Sequence, residues 1–460
     1  MAQAKKIRLP AKASMFYTLS IIASRAVGIL TTPLFTRAMS AAEYGSYSYY
    51  ISILSIASMI SGVSLTPAVF YSGLGRFSEN KRGFANAVIL LSTAINLGIC
   101  IVLFAFSDIL GIERQIPLII FIQVFFDTIV AAELLSDKFS YSYKRVVIIN
   151  LSSAILGALL SILLVLSLDF GAMGRILGLL FSGAAISFYL VLRRGDEEKA
   201  SKAELRFLLK SALPLIPAVI AKASAGFSDK LMIKAFIGVD ALAKYSVAHT
   251  VGTALFALIT SLSSALNPWM IRKLRRGKFS AVTSVVCELS ALICWGSVML
   301  IALAPEIFSF LAPKSYSDAV YVIFPLAVSA LPYFLFSINS AIAGFDENMG
   351  WISAATLAGA AINILTNLIL LPRIGYIGGG IAYLSSETLM CLISSAFIRK
   401  RRGDALKASK PGLEIYFSLA VGGVFLLLYD HLHLRILLLI IPSIMAIKHG
   451  FACLDLAKEK

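Results

Sequence analysis

The chain has 460 residues, of which 58% are hydrophobic and only 14% charged, with a formal net charge of +16. A water-soluble protein carries about a quarter charged residues, so this one lacks the polar surface to cover a soluble globule, and lipid is the solvent that fits. The basic excess would suit a nucleic-acid binder if it were clustered; its distribution, described below, removes that reading.

The N-terminal stretch MAQAKKIRLPAK is basic, and no small-residue cleavage site follows the first apolar run. It therefore reads as the flank of a retained helix and not as a signal peptide. Apolar runs of about twenty residues, enough to cross a bilayer, then follow at 14–36, 44–70, 84–106, 115–136, 146–167, 173–192, 207–237, 241–267, 281–311, 318–344, 351–371, 379–398, 412–429 and 435–456. The expected fold is all-α: a polytopic membrane protein of about fourteen transmembrane helices.

The first span carries Arg25 about eleven residues in, near the bilayer midplane at about 1.5 Å per residue. Such a charge costs at least about 2.5 kcal/mol to insert and is too deep to snorkel. The fourth span holds Asp127, the most deeply placed acid, with Glu133 nearer its end. The seventh carries Lys222 at a depth matching Arg25, then Asp229, Lys230 and Lys234. Offsets of seven and eight put Lys222, Asp229 and Lys230 close to one helix face. Charges at this depth are functional by default. Arg25, Lys222, Lys230 and Lys234 are the expected cationic lining for an anionic substrate. Asp127 and Asp229 are the expected coupling groups or charge partners. Glu288 and Glu306 lie near span ends, where wetting explains them. Pro33, Pro214, Pro217, Pro325 and Pro332 fall inside spans and mark bends.

With the N-terminus inside, 29 of the 41 basic residues fall in the connections on that side. The seven opposite connections hold one each: Arg37, Arg114, Arg175, Lys244, Lys314, Arg373 and Arg435. Positive charge accumulates on the cytoplasmic side, so both termini are expected there, and the basic excess is an orientation signal. No connection is long enough for a soluble domain. The histidines and cysteines show no metal spacing, no phosphate-binding loop of the GxxxxGKS type occurs, and no enzymatic constellation emerges.

A shift of 198 residues superposes Lys12 on Lys210, Ala23 on Ala221, Gly28 on Gly226, Tyr47 on Tyr245 and Ser48 on Ser246. A period of six helices implies two six-helix bundles related by a pseudo-two-fold axis along the membrane normal, with a central cavity. The expected divisions are 1–192, a cytoplasmic linker at 193–206, a second bundle at 207–398, and a loop with an extra helix pair at 399–460.

The stretch Thr32-Pro33-Leu34-Phe35-Thr36-Arg37-Ala38-Met39-Ser40, continuing through Glu43-Tyr44-Gly45-Ser46-Tyr47, resembles the opening signature of bacterial polysaccharide repeat-unit flippases. These are the O-antigen and capsule translocases of the multidrug/oligosaccharidyl-lipid/polysaccharide exporter superfamily. Asp229-Lys230-Leu231-Met232-Ile233, with Gly238 and Tyr245, resembles that family's seventh-to-eighth helix connection. The resemblance implies a bacterial inner-membrane flippase that moves polyprenyl-pyrophosphate-linked glycan from the cytoplasmic to the outer leaflet by alternating access. It also implies membrane lipid, polysaccharide polymerase and chain-length machinery as partners, no nucleic acid, no bound cofactor, and coupling to a proton or sodium gradient. Alternatives are a peptidoglycan-precursor flippase, an ion-coupled drug exporter of the same superfamily, and a membrane glycosyltransferase; the last needs a large outer loop that is missing here.

Overall fold

The computed structural model describes residues 2–193, 199–346, 350–402 and 411–458. The expected connections at 193–206, 345–350 and 399–411 each fall partly outside these residues. Every regular element among the described residues is helical, as the composition requires. Twelve helices are long and apolar enough to cross a membrane, and a thirteenth span is a pair, Lys202–Ala223 and Gly226–Phe236, meeting at 52°. These thirteen coincide with thirteen of the fourteen expected runs. The remaining run, 412–429, forms a helix of only 17 residues, Pro411–Leu427. The chain divides into two compact units, Met1–Phe227 and Ser228–Lys460.

In the first unit, α1 (Ala2–Ala38) and α2 (Ala41–Ser61) are separated by a capping box. Ser40 Oγ accepts from the Glu43 amide and the Glu43 carboxylate accepts from the Ser40 amide, so the sequence itself stops one helix and starts the next. α3 (Pro67–Arg76) begins with proline at its first position, where no intrahelical donor is lost. Then come α4 (Lys81–Ala105), α5 (Ser107–Leu110), α6 (Ile116–Phe139), α7 (Tyr143–Ile162) and α8 (Gly171–Leu192). α1 is tied to α7 by polar side chains: Ser24 donates to the Asn150 carbonyl and the Asn150 amide donates to Ser20. α8 passes close to α7 because Gly178 lies against the Ser161 backbone and leaves no room for a Cβ.

The segment read as a linker contains a helix of its own, α9 (Lys202–Ala212), opened by a second capping box between Ser201 and Glu204. It is amphipathic. Leu208 and Ala212 are buried, while Lys202, Arg206 and Lys210 are exposed. Leu208 joins Phe70, Leu74, Phe84 and Val88 in one core cluster, which fixes α9 on α3 and α4.

α10 (Ile216–Phe236) follows a 3-10 turn at Leu213–Leu215. Pro214 lies in that turn and Pro217 in the first turn of α10, so both expected bends fall at a helix start. The second unit continues with α11 (Val239–Gly252), α12 (Ala254–Arg275), α13 (Phe279–Ala302), α14 (Ala304–Leu311), α15 (Ile323–Val328), α16 (Ala330–Phe345), α17 (Gly350–Ile374) and α18 (Ile377–Arg402). Its core gathers Phe256, Met270, Val286, Phe334 and Cys391.

The C-terminal helices α19 (Pro411–Leu427), α20 (Leu432–Leu438) and α21 (Ile440–Lys458) belong to this unit and pack on α13. Trp295 meets Phe417 edge-on at 5.2 Å, and His449 Nδ1 lies 2.7 Å from Glu288 Oε2. Arg435, 3% exposed, forks onto Glu306 with bonds of 2.9 and 2.6 Å and donates to the Ala302 carbonyl at 2.7 Å. Glu288 and Glu306 are partly exposed, as their places near span ends suggest, and both also anchor the C-terminal helices. Arg435 is no loop residue. Glu306→Ala strands a buried guanidinium and is expected to lower stability by about 2–3 kcal/mol, with Glu306→Asp losing less. Thermal unfolding in detergent reads this, and an unchanged midpoint for Glu306→Ala would remove the clasp from the account.

Candidate substrate-binding and coupling site

The second unit concentrates buried polar groups around Asp229. Its side chain is 0% exposed and accepts a hydrogen bond from the Tyr245 hydroxyl of α11. Its other carboxylate oxygen has no hydrogen-bond partner among the described residues. Lys230 is within electrostatic reach of both Asp229 and His249. His249 sits one turn beyond Tyr245, with ring centroids 5.7 Å apart, and meets Tyr383 of α18 edge-on at 5.7 Å. Glu387, 7% exposed, follows one turn after Tyr383. On the other side, Ser228 donates to Asn363 Oδ1 at 2.7 Å, and the Asn367 amide donates to the same oxygen at 3.0 Å. Asn363 Nδ2, Asn367 Oδ1 and His249 Nε2 are further buried atoms without a hydrogen-bond partner.

An unpaired polar atom in a medium of low dielectric constant is costly. Four of them in the second unit, one on Asp229 itself, mark a region built for something other than packing. The backbone makes room for it at Gly379 of α18, which lies against Ile233 and Tyr245 with no space for a Cβ in a relaxed contact. Helices α10, α11, α17 and α18 each contribute polar side chains to this region. Lys234, half-exposed, lies on the last turn of α10.

In the first unit, Asp127 of α6 faces Gly183 of α8. One turn earlier Gln123 accepts from the Tyr50 hydroxyl of α2 at 2.5 Å. Arg25 is exposed on α1, on a different side from Ser20 and Ser24, which face α7. Lys222 is exposed too, just before the 52° bend. The division at Phe227/Ser228 puts Lys222 in the same unit as Arg25. Neither Arg25, Lys222 nor Asp127 enters an ion pair among the described residues. Among the described residues, Arg25 and Lys222 are thus exposed cations without an ion-pair partner. Asp229 and Lys230, by contrast, are enclosed together in the second unit.

Arg175 was missed from sequence because it was counted in a connection. It lies in α8, 8% exposed, with its guanidinium carbon 4.2 Å from the Phe35 ring, 5.1 Å from Tyr44 and 3.9 Å from Tyr47. Three rings holding one cation account for the aromatics of the stretch Phe35 to Tyr47. The signal was present in the sequence as three aromatics flanking a capping box with no assigned partner. The equivalent Tyr245 of the second unit turns its hydroxyl to Asp229 instead.

The model of the polysaccharide biosynthesis protein family matches residues 11–274. Among solved structures, the chain is similar to the lipid II flippase MurJ in an inward closed conformation: 16% identity, TM-score 0.67, covering 92% of this chain and 100% of that one. It is also similar to an inward-facing multidrug resistance MATE family transporter of the MOP superfamily, at 15% identity and TM-score 0.64, covering 87% and 99%. A MOP superfamily transporter from Pyrococcus furiosus, described as having a binding pocket of reversed polarity, matches at 14% identity and TM-score 0.58, covering 86% and 97%. Identities this low establish a shared fold. No curated protein matched the sequence.

Proposed function

We propose a function from one premise: the chain belongs to the polysaccharide biosynthesis protein family. It is a multi-pass membrane protein with the fold of MOP superfamily transporters. It translocates polyprenyl-pyrophosphate-linked oligosaccharide repeat units from the cytoplasmic to the outer leaflet of a bacterial inner membrane, for O-antigen or capsule synthesis, and catalyses no covalent step. The observation that carries this reading is the pair of cations expected at depth, Arg25 and Lys222, with no ion-pair partner among the described residues. A pyrophosphate and acidic sugars need positive charge at depth. A carrier of cationic drugs would place acids there, which weighs against the exporter alternative.

Alternating access moves the substrate, and a proton or sodium gradient drives it. Lys230 and Lys234 of the second unit are the other cations assigned to the substrate. Asp229 is the stronger candidate for the coupling carboxylate, because its second oxygen is buried without a hydrogen-bond partner among the described residues; Asp127, which enters no ion pair among those residues, is the other. Polymerase and chain-length machinery receive the product outside, and both termini lie in the cytoplasm.

A peptidoglycan-precursor substrate is the second reading, favoured by the TM-score of 0.67 to a lipid II flippase. Deleting the chain from its host and analysing lipid-linked intermediates separates the two. Undecaprenyl-linked repeat units accumulating on the cytoplasmic side support the first reading. Accumulated lipid II supports the second, and accumulation of neither would refute both.

A further inference from the structure

Helix α9 carries Lys202, Arg206 and Lys210 at successive steps of four, one exposed stripe along its length. Arg76, at the last turn of α3, faces the same groove. Together with Ala203 and Phe207 these side chains line a cavity of about 500 Å³. Among the described residues no carboxylate lines it. Glu204, the one acid of α9, is turned into the capping box and buried. None of the four cations enters an ion pair among the described residues.

The groove is rigid. The Arg76 guanidinium carbon lies 5.6 Å from the Phe207 ring and 5.9 Å from Phe77. Phe207 packs edge-on to Phe77 at 5.8 Å, and Leu208 is locked in the core beneath. Four like charges held on a fixed frame repel one another, and an anion relieves that repulsion. Segments 71–83 and 193–210 both belong to the basic set that charge asymmetry assigns to the cytoplasm. The groove therefore lies where the headgroups of the inner leaflet meet water. Two guanidinium forks flanked by two ammonium groups suit phosphate oxygens, and Phe207 offers an apolar surface to the chain attached to them.

We propose that this groove docks lipid-borne phosphate on the cytoplasmic face, and that its occupant is the diphosphate head of the lipid-linked substrate before it reaches the deep cations. Naming that occupant rests on the flippase reading; phosphate binding at the groove does not. The test uses the full chain in detergent micelles, titrated with inorganic diphosphate by calorimetry. Wild type is expected to bind saturably, and Arg76→Gln and Arg206→Gln each to weaken binding about tenfold. Lys144→Gln, an exposed cation on the same expected side, controls for net charge and is expected to bind as wild type. Arg76→Lys with Arg206→Lys keeps the charge and guards against misfolding; it is expected to retain part of the affinity. Equal affinity in wild type and both glutamine variants would overturn the site.

Competition then identifies the source of the phosphate. Displacement by micellar polyprenyl diphosphate and not by phosphatidylglycerol upholds substrate docking. Equal displacement by both overturns the named occupant and leaves a general site for acidic headgroups. Because binding is read without transport, either result stands apart from success or failure of the flippase assignment.

Discussion

Arg25→Ala and Lys222→Ala, made separately, are each expected to abolish surface glycan while leaving the protein in the membrane. Arg25 sits near the middle of the span Phe16–Ala38, where it costs at least about 2.5 kcal/mol to insert. Its side chain is exposed and enters no ion pair among the described residues, so packing gives no return for that cost. Its removal should ease insertion and leave the fold intact, which makes loss of glycan a reading of function. Lys222 is likewise exposed and without an ion-pair partner among the described residues. Arg25→Lys keeps the charge but loses the bidentate fork, and is expected to retain partial transport. Immunoblots of surface glycan and of the membrane fraction provide the measurements. Wild-type glycan in both alanine variants would refute the assignment of the deep cations.

Asp229→Ala is expected to cost both transport and stability. The carboxylate is fully buried, takes the Tyr245 hydroxyl and sits beside Lys230. Its removal leaves the buried Tyr245 hydroxyl without its acceptor, a loss of about 1–3 kcal/mol. Asp229→Asn separates the roles. The amide oxygen still accepts from Tyr245 and fills the same volume, so less than half of the stability loss is expected. The charge is gone, so transport should fail in both variants if Asp229 couples it to an ion gradient. Melting temperature and glycan level, measured on the same preparations, give the answer. A transport-competent Asp229→Asn would leave Asp229 a structural role and shift the coupling proposal to Asp127.

What could be read from the sequence followed from how strongly physics constrains it. A bilayer allows only helices with internally satisfied backbones, so thirteen spans were legible from apolar length alone. The run at 412–429 forms the shorter α19 because Leu428 and Tyr429 turn out of the helix. The Ser40–Glu43 cap was open to view, since it is local. The partners of Arg175, Arg435 and Glu306 were not, because each contact joins segments more than a hundred residues apart and leaves no periodic trace. The same holds for the polar centre. Asp229 and Lys230 stood out as charges in an apolar run, but Asn363, Asn367 and His249 are ordinary residues until folding places them together. α9 was taken for linker because its polar stripe dominates a short stretch, and only contact with Phe84 and Leu74 reveals its buried side.

The span Leu432–Cys453 has only 6% of its most apolar window buried inside the protein. Acyl chains are as apolar as leucine, so such a surface gains almost nothing by choosing protein over lipid. Its location is specified instead by Arg435 against Glu306 near one end and His449 against Glu288 near the other. Mutational tolerance along this helix should therefore be uneven. Aliphatic exchanges at Leu437, Ile441 or Ile444 are nearly neutral and free to drift over evolutionary time, whereas the two polar addresses can change only together with their partners.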